Sequence, residues 1–269
     1  MLSPEILEYY EQGREDDRLA AGTGRLEFLR TWDVLTRVLP PAPARVIDVG
    51  GATGRYARPL ASAGYEVRVV DPVPSHVAAS ATVPGVTAVI GDARELPEPD
   101  ASADAVLLLG PLYHLPELAD RLTAWREAAR VGRPGGVVVG AVISRFASFL
   151  DGFARGYYAD PEFVSIVERD LADGVHRNHA GDPRYFTSAY FHRPEEPGEE
   201  AEAAGLVDVR TVAVEGPAWI IGPRLAEFLA DPHLTEIMLD MQRRVEQEAS
   251  LLGASSHLLT IGRRTLTRE

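Results

Sequence analysis

Apolar positions along the chain repeat with two different periods, and their alternation predicts the architecture. Leu26, Phe28, Leu29, Trp32, Leu35, Val38 and Leu39 recur at helical spacing. A mostly helical segment is therefore expected over residues 3–39, ended by Pro40, Pro41 and Pro43. Arg45-Val46-Ile47-Asp48-Val49 is a short β-branched run leading into Gly50-Gly51-Ala52-Thr53-Gly54. A short helical pattern around Tyr56, Ala57, Leu60 and Ala61 stops at Gly64, and residues 66–71 form a second strand. Strands over 86–90, 103–109 and 137–143 follow, with a helix over about 116–130 before the last of them.

This rhythm predicts an α/β fold with a doubly wound, parallel sheet. The unbroken apolar runs at 106–109 and 137–139 suit strands buried on both faces. After Ser144 the rhythm breaks: residues 145–202 carry many aromatics and three histidines, with no clear strand. Strand signals resume at 206–214, two helices are expected at about 217–230 and 234–251, and residues 257–261 close as an antiparallel strand. Seven strands result. The division expected is an N-terminal helical lid (1–44), a core (45–145 and 203–269) and a helical cap inserted at 146–202.

Composition narrows the chemistry. The chain has 269 residues with 27 cationic and 40 acidic side chains, a formal charge of −13. Every cation is arginine, and neither lysine nor cysteine occurs. Schiff-base chemistry, P-loop phosphate binding and Tyr-x-x-x-Lys dehydrogenase chemistry need a primary amine and fall away. Disulfides, thiolate nucleophiles and cysteine-ligated metal clusters fall away as well. An acidic surface repels phosphate backbones and anionic lipid, so neither nucleic acid nor membrane is an expected partner. Residues 1–10 lack the basic start and apolar core of a signal peptide, and no apolar run reaches membrane-spanning length. A cytoplasmic protein is expected.

Glycines at 50, 51 and 54 permit a tight strand-to-helix turn and let a ligand approach the backbone, although such turns also use glycine for structure alone. Three features at other strand ends would share the pocket. Asp71, followed by Pro72, could accept from two ribose hydroxyls. Asp92, in Gly91-Asp92-Ala93, could accept from an adenine amino group. Leu109-Gly110-Pro111 opens the crevice wall. A dinucleotide fingerprint begun at Gly50 would need glycine at Ala52 and glycine or alanine at Arg55, and finds neither.

Asp48-x-Gly50-x-Ala52-x-Gly54 closely resembles the first motif of the class I S-adenosylmethionine-dependent methyltransferases, with Ala52 in the middle glycine slot. The fourth-strand stretch at 103–109 also resembles that family, and Gly110-Pro111-Leu112-Tyr113-His114-Leu115 resembles a group of bacterial small-molecule methyltransferases. The resemblance implies a Rossmann-like, mostly parallel sheet and S-adenosylmethionine as cofactor, with S-adenosylhomocysteine as product. It also implies ribose binding by Asp71, and adenine contacts from Asp92 and the Ala93 backbone. Tyr10 and Arg25 in the N-terminal segment would touch the methionine end. Without cysteine, polar methyl transfer remains and radical use of the cofactor does not.

The expected partner is a small-molecule acceptor, methylated at oxygen, nitrogen or carbon. A base is needed only where the acceptor is protonated. His114, with Tyr113 beside it, leads the candidates, although a loop histidine held by hydrogen bonds fits equally. His176 and His179 in the cap are further candidates, in a region that also suits a packed lid. With His192 they match no strong zinc spacing, so no metal is expected. Non-methylating use of the cofactor, such as cyclisation or rearrangement, stays open. So do a dinucleotide or nucleotide-sugar enzyme and a non-catalytic binding module. The oligomeric state is open too, a homodimer among the options.

Overall fold

The structure, a computed structural model, describes Ile6 and residues 22–266 except 180 and 183. In chain order its elements are α1 (Gly22–Val38), β1 (Arg45–Val49), α2 (Ala57–Ser62), β2 (Glu66–Asp71), α3 (Pro74–Ser80) and β3 (Val86–Ile90). Then come β4 (Ala103–Leu108), α4 (Leu118–Val131), β5 (Gly132–Ser144), α5 (Ala147–Arg155), α6 (Pro161–Asp173), β6 (Val175–His176) and β7 (Ala189–His192). The chain continues through α7 (Glu196–Ala203), β8 (Leu206–Ala213), α8 (Leu225–Ala230), α9 (Pro232–Val245), α10 (Ala249–Leu252) and β9 (His257–Arg264).

The sheet runs β3-β2-β1-β4-β5 in parallel, after which β9 lies antiparallel between β5 and β8. The expected parallel sheet and antiparallel closing strand are both present. Alternate strand residues feed opposite faces, as the two-residue period requires. Val46, Val67, Val69, Leu107 and Val139 pack with Val34, Leu35 and Val38 of α1. Ile47, Val70, Val106, Leu108 and Val138 pack with Ala124, Trp125 and Ala128 of α4. Trp125 is fully buried over Gly140, where any Cβ would collide with the indole ring.

Three expectations need correction. Residues 145–202 are not strand-free: β6 and β7 form a small antiparallel ribbon, and β7 extends the end of β5 through Ile143–Phe191 and Ser144–His192. A two-residue strand has no period to read, so it left no sequence signal. The expected helix at 234–251 is two helices, because Glu248 caps a new one through the Ser250 amide. The segment before it starts as a 3-10 helix at Gly216–Arg224 and becomes α-helical only at Leu225. The same region carries helices α5 and α6, and Phe163, Ile166, Val167 and Tyr185 give it its own small core. No described helix is long and apolar enough to cross a membrane.

Candidate active site

All parallel strands end on one edge, and a cleft of about 1240 Å³, open mouth included, lies outside those ends. One wall comes from the ends of β1, β2 and β3. Gly50 has φ +70° and donates its amide to the Val70 carbonyl at 2.7 Å. A Cβ there would meet Pro111 Cδ at 2.9 Å, and one on Gly51 would stand 2.6 Å from Asp48 Oδ2. Only glycine leaves room at these two steps. Ala52 occupies the left-handed region, φ 47°, which favours glycine, and its amide is held by Asp71 Oδ2 at 3.0 Å. The alanine in the middle slot therefore keeps the loop shape at a conformational cost.

The acids of this wall differ in environment. Asp48 is fully buried, and neither carboxylate oxygen has a hydrogen-bond partner among the described residues. Burial first, and the nearby Asp71 charge second, push it up to about 7. Asp71 Oδ1 accepts from the Val73 amide at 2.9 Å and meets His76 Nδ1 at 3.1 Å. Asp71 thus organises the loop as well as facing the cleft. Asp92 is gripped by the Arg94 guanidinium, which holds its carboxyl well below the usual range, and Arg94 continues to Asp120 at 2.7 Å. The fit to an adenosine-bearing, cationic cofactor rests on chemistry present here: a buried carboxylate without a partner, exposed loop backbone, and acids at two successive strand ends.

The opposite wall begins beyond β4. A 3-10 turn, Leu112–His114, carries Tyr113 and His114 into the cleft lining. Phe186 from the cap stacks on His114 with centroids 5.7 Å apart, and Tyr113 meets the His114 edge at 4.7 Å. His114 Nδ1 lies 3.4 Å from the Ser188 carbonyl, and burial pushes the imidazole down to about 4. It is therefore neutral at physiological pH and weakly basic.

Asp48, Gly50, Gly51, Ala52, Asp71, Pro72, Asp92, Ala93, Leu109, Gly110, Tyr113 and His114 all line the one cleft. Gly54 stands behind it with φ +90°, against Ser80 and Val83. Arg25 is exposed and outside the lining, and Tyr10 lies outside the described residues. His179 is exposed on the cap. His176 is buried away from the cleft with both nitrogens engaged, Nδ1 by Asp170 at 2.8 Å and Nε2 by the Phe186 carbonyl at 3.2 Å. Its ring stacks on Phe191 at 4.7 Å, which makes it a packing residue of the cap.

Several lining residues carried no local sequence signal. Arg55 sits 4.7 Å over Phe28, which stacks on Tyr56 at 5.3 Å. His76 reaches Asp71 from α3. Glu27 on α1 and His257 at the start of β9 also line the cleft. His257 Nδ1 lies 2.5 Å from Glu215 Oε1 and 3.7 Å from Glu27 Oε2. These three come from distant segments, so no spacing could have joined them. Each offers one ligand atom within 4.8 Å of the other two, and the 2.5 Å His257–Glu215 contact is a short hydrogen bond.

A methyltransferase domain family model matches residues 47–140. Over 100 residues the chain is 39% identical to an uncharacterised methyltransferase of Mycobacterium tuberculosis, covering 37% of this chain and 40% of that relative's length. It is 30% identical over 220 residues to a demethylmenaquinone methyltransferase of Roseiflexus castenholzii, covering 75% of this chain and 87% of the relative. A SAM-dependent methyltransferase of Thermotoga maritima shares the fold with TM-score 0.59 at 18% identity, covering 97% of this chain and 99% of that one.

Proposed function

The chain belongs to the class I S-adenosylmethionine-dependent methyltransferases, and on that premise we propose that it methylates a small-molecule acceptor. One observation carries most of the weight: the buried, unpartnered Asp48 carboxylate beside a bare glycine loop, in a single cleft with Asp71 and Asp92. A cation binding there relieves the cost of burying that charge. When bound, S-adenosylmethionine supplies a methyl group activated by its sulfonium. In this proposal Asp48 and the Gly50–Ala52 backbone hold the methionine end, Asp71 takes the ribose, and Asp92 with the Ala93 amide takes the adenine. Pro72, Leu109 and Gly110 shape the slot around them.

The remaining residues need only align the acceptor and exclude water, because displacement at the methyl carbon is in-line. Tyr113, His114 and Phe186 form an aromatic wall for that purpose. The Roseiflexus relative is named for demethylmenaquinone, and an aromatic acceptor of that kind suits such a wall. Residues 1–44, of which 1–5 and 7–21 lie outside the described residues, would act as a lid, 146–202 as a cap over the acceptor, and 45–145 with 203–269 as the core, in a cytoplasmic enzyme.

Thermal unfolding tests the cofactor assignment without an acceptor. S-adenosylhomocysteine should raise Tm and NAD should leave it unchanged. No rise at saturating S-adenosylhomocysteine would refute the assignment. Transfer of labelled methyl into a product then separates methylation from cyclisation or rearrangement in the same pocket.

A further inference from the structure

The loop that carries Asp92 is bound at several points to helix α4. Asp92 lines the cleft just past β3, with its side chain 31% exposed. Left alone there, a carboxylate would turn about its side-chain torsions. Arg94, outside the cleft lining, holds it with a fork: Nε donates to Oδ1 at 2.9 Å and one terminal nitrogen to Oδ2 at 2.7 Å. The Arg94 amide adds a bond to Oδ1 at 2.9 Å. Two parallel bonds from a planar guanidinium fix the plane of the carboxylate, which a single bond would not do.

Arg94 is itself braced. Its other terminal nitrogen donates to Asp120 Oδ2, in the first turn of α4, at 2.7 Å. Two residues further along the loop, the Leu96 amide donates to Glu127 Oε2 at 2.8 Å, and the Leu96 carbonyl accepts from Arg130 at 3.1 Å. Both partners belong to α4, whose Ala124, Trp125 and Ala128 are buried in the core. The loop therefore takes its position from a packed helix. The fork also keeps Asp92 anionic, since the guanidinium holds its carboxyl well below the usual carboxylate range. One guanidinium shared by two carboxylates leaves the set with a net negative charge. A carboxylate can accept about four hydrogen bonds, so being held by a fork and accepting from a base are compatible.

We propose that Arg94, braced by Asp120, is a positioning residue that fixes Asp92 where it selects an adenine base by its exocyclic amino group. The proposal rests on the methyltransferase reading of the cleft, with adenine at Asp92. Adenine offers a donor at N6, whereas hypoxanthine offers an acceptor oxygen there and a donor on the adjacent ring nitrogen. A carboxylate fixed opposite N6 pairs with the first base and meets an oxygen in the second. A carboxylate free to turn would follow the donor to the ring nitrogen and would separate the two bases poorly. Selectivity then belongs to the clamp as much as to the acid.

The test is calorimetric titration of the full chain with S-adenosylhomocysteine and S-inosylhomocysteine, which differ only in the base. Wild type should bind the adenosyl compound about 10-fold more tightly or better. Arg94→Met should lower adenosyl affinity about 10-fold and leave inosyl affinity within about twofold, so that the preference is nearly lost. Arg94→Lys keeps the charge without the fork and should retain only part of the preference. Asp120→Asn weakens the brace and keeps the fork, and should narrow the preference about threefold.

No binding of the adenosyl compound by wild type defeats the cofactor assignment on which the proposal rests. Wild-type binding of both compounds with equal affinity overturns the proposal alone. So does an equal loss for both compounds in Arg94→Met, which would mark the fork as a purely structural pair, and so does an unchanged preference in that variant. Should Arg94→Met fail to fold, Arg94→Lys and Asp120→Asn carry the same comparison, and an unchanged preference in both overturns the proposal.

Discussion

The two walls of the cleft are built by different means. On the glycine-loop side every group sits within a few residues of a strand end, and backbone bonds hold it: Gly50 to Val70, Ala52 and Val73 to Asp71. On the other side His114 meets Phe186, and His257 meets Glu27 and Glu215, each residue arriving from a separate segment and meeting its partners through side chains. A wall made of short loops on a rigid sheet keeps one ligand over long evolutionary distances, whereas a wall made of tertiary meetings can change its ligand residue by residue. Asp71→Ala should break the local wall most completely. It removes two amide anchors and a candidate ribose acceptor, so cofactor affinity should fall about 100-fold or more. Calorimetric titration with S-adenosylhomocysteine checks this, and undiminished affinity would show that Asp71 serves the loop alone.

The cap offers the converse experiment. Among the described residues, His176→Ala leaves the Asp170 carboxylate, 1% exposed, with Ser148 Oγ at 2.6 Å as its one side-chain partner, and opens a gap on Phe191. Breaking a buried pair of this kind costs about 3–5 kcal/mol. Denaturant unfolding should register that loss while the cofactor-induced stabilisation of the folded protein stays at its wild-type size. A variant with lost cofactor response would mean that the two walls are not separable.

Solution pH separates the walls more gently, because Asp48 and His114 respond with opposite sign. Burial and the Asp71 charge raise Asp48 from 3.8 to about 7, so the unfolded chain releases its proton first and stability falls as pH rises through that interval. Burial lowers His114 from 6.5 to about 4, so the unfolded chain takes up its proton first and stability falls as pH drops through 6.5 toward 4. Each contribution is worth roughly 3–4 kcal/mol at its full extent. In the cofactor-free protein, the Tm of His114→Gln relative to wild type should be highest near pH 4 and level off above 6.5. Asp48→Asn relative to wild type should gain from pH 4 to 7. Parallel profiles for both variants would contradict the assigned environments.

The same contrast explains what the sequence could disclose. The seven main strands, the glycine loop and the acids at 48, 71 and 92 each carry a local signature: a two-residue period, a turn composition, or a position at a strand end. His257 and Glu215 carry none, since 42 positions separate them. Their pairing exists only once β8 and β9 lie side by side. His176 and His179 looked catalytic because they cluster in sequence, yet one is spent on Asp170 and the Phe186 carbonyl while the other faces solvent. Density of histidines along the chain is a poor guide where partners are chosen in three dimensions. The β6–β7 ribbon was illegible for a similar reason, because its pairing with β5 is decided by the end of another strand.

Ala52 supplies the finest comparison, since it departs from the family motif within the most local part of the site. At φ 47° a methyl-bearing residue loses roughly 1–2 kcal/mol against a right-handed conformation. Glycine would escape that cost but would lose about 0.5–1 kcal/mol through the freer unfolded chain. The two nearly cancel, and Ala52→Gly should raise Tm by no more than about 2–4 °C. Because the Ala52 amide bonds Asp71 and the side chain lines the cleft, the same change opens space beside the cofactor without removing a bond. S-adenosylhomocysteine affinity should stay within about threefold of wild type. A large loss of affinity would mean that the alanine methyl packs on the cofactor, and that this loop is tuned by its side chain as well as by its backbone.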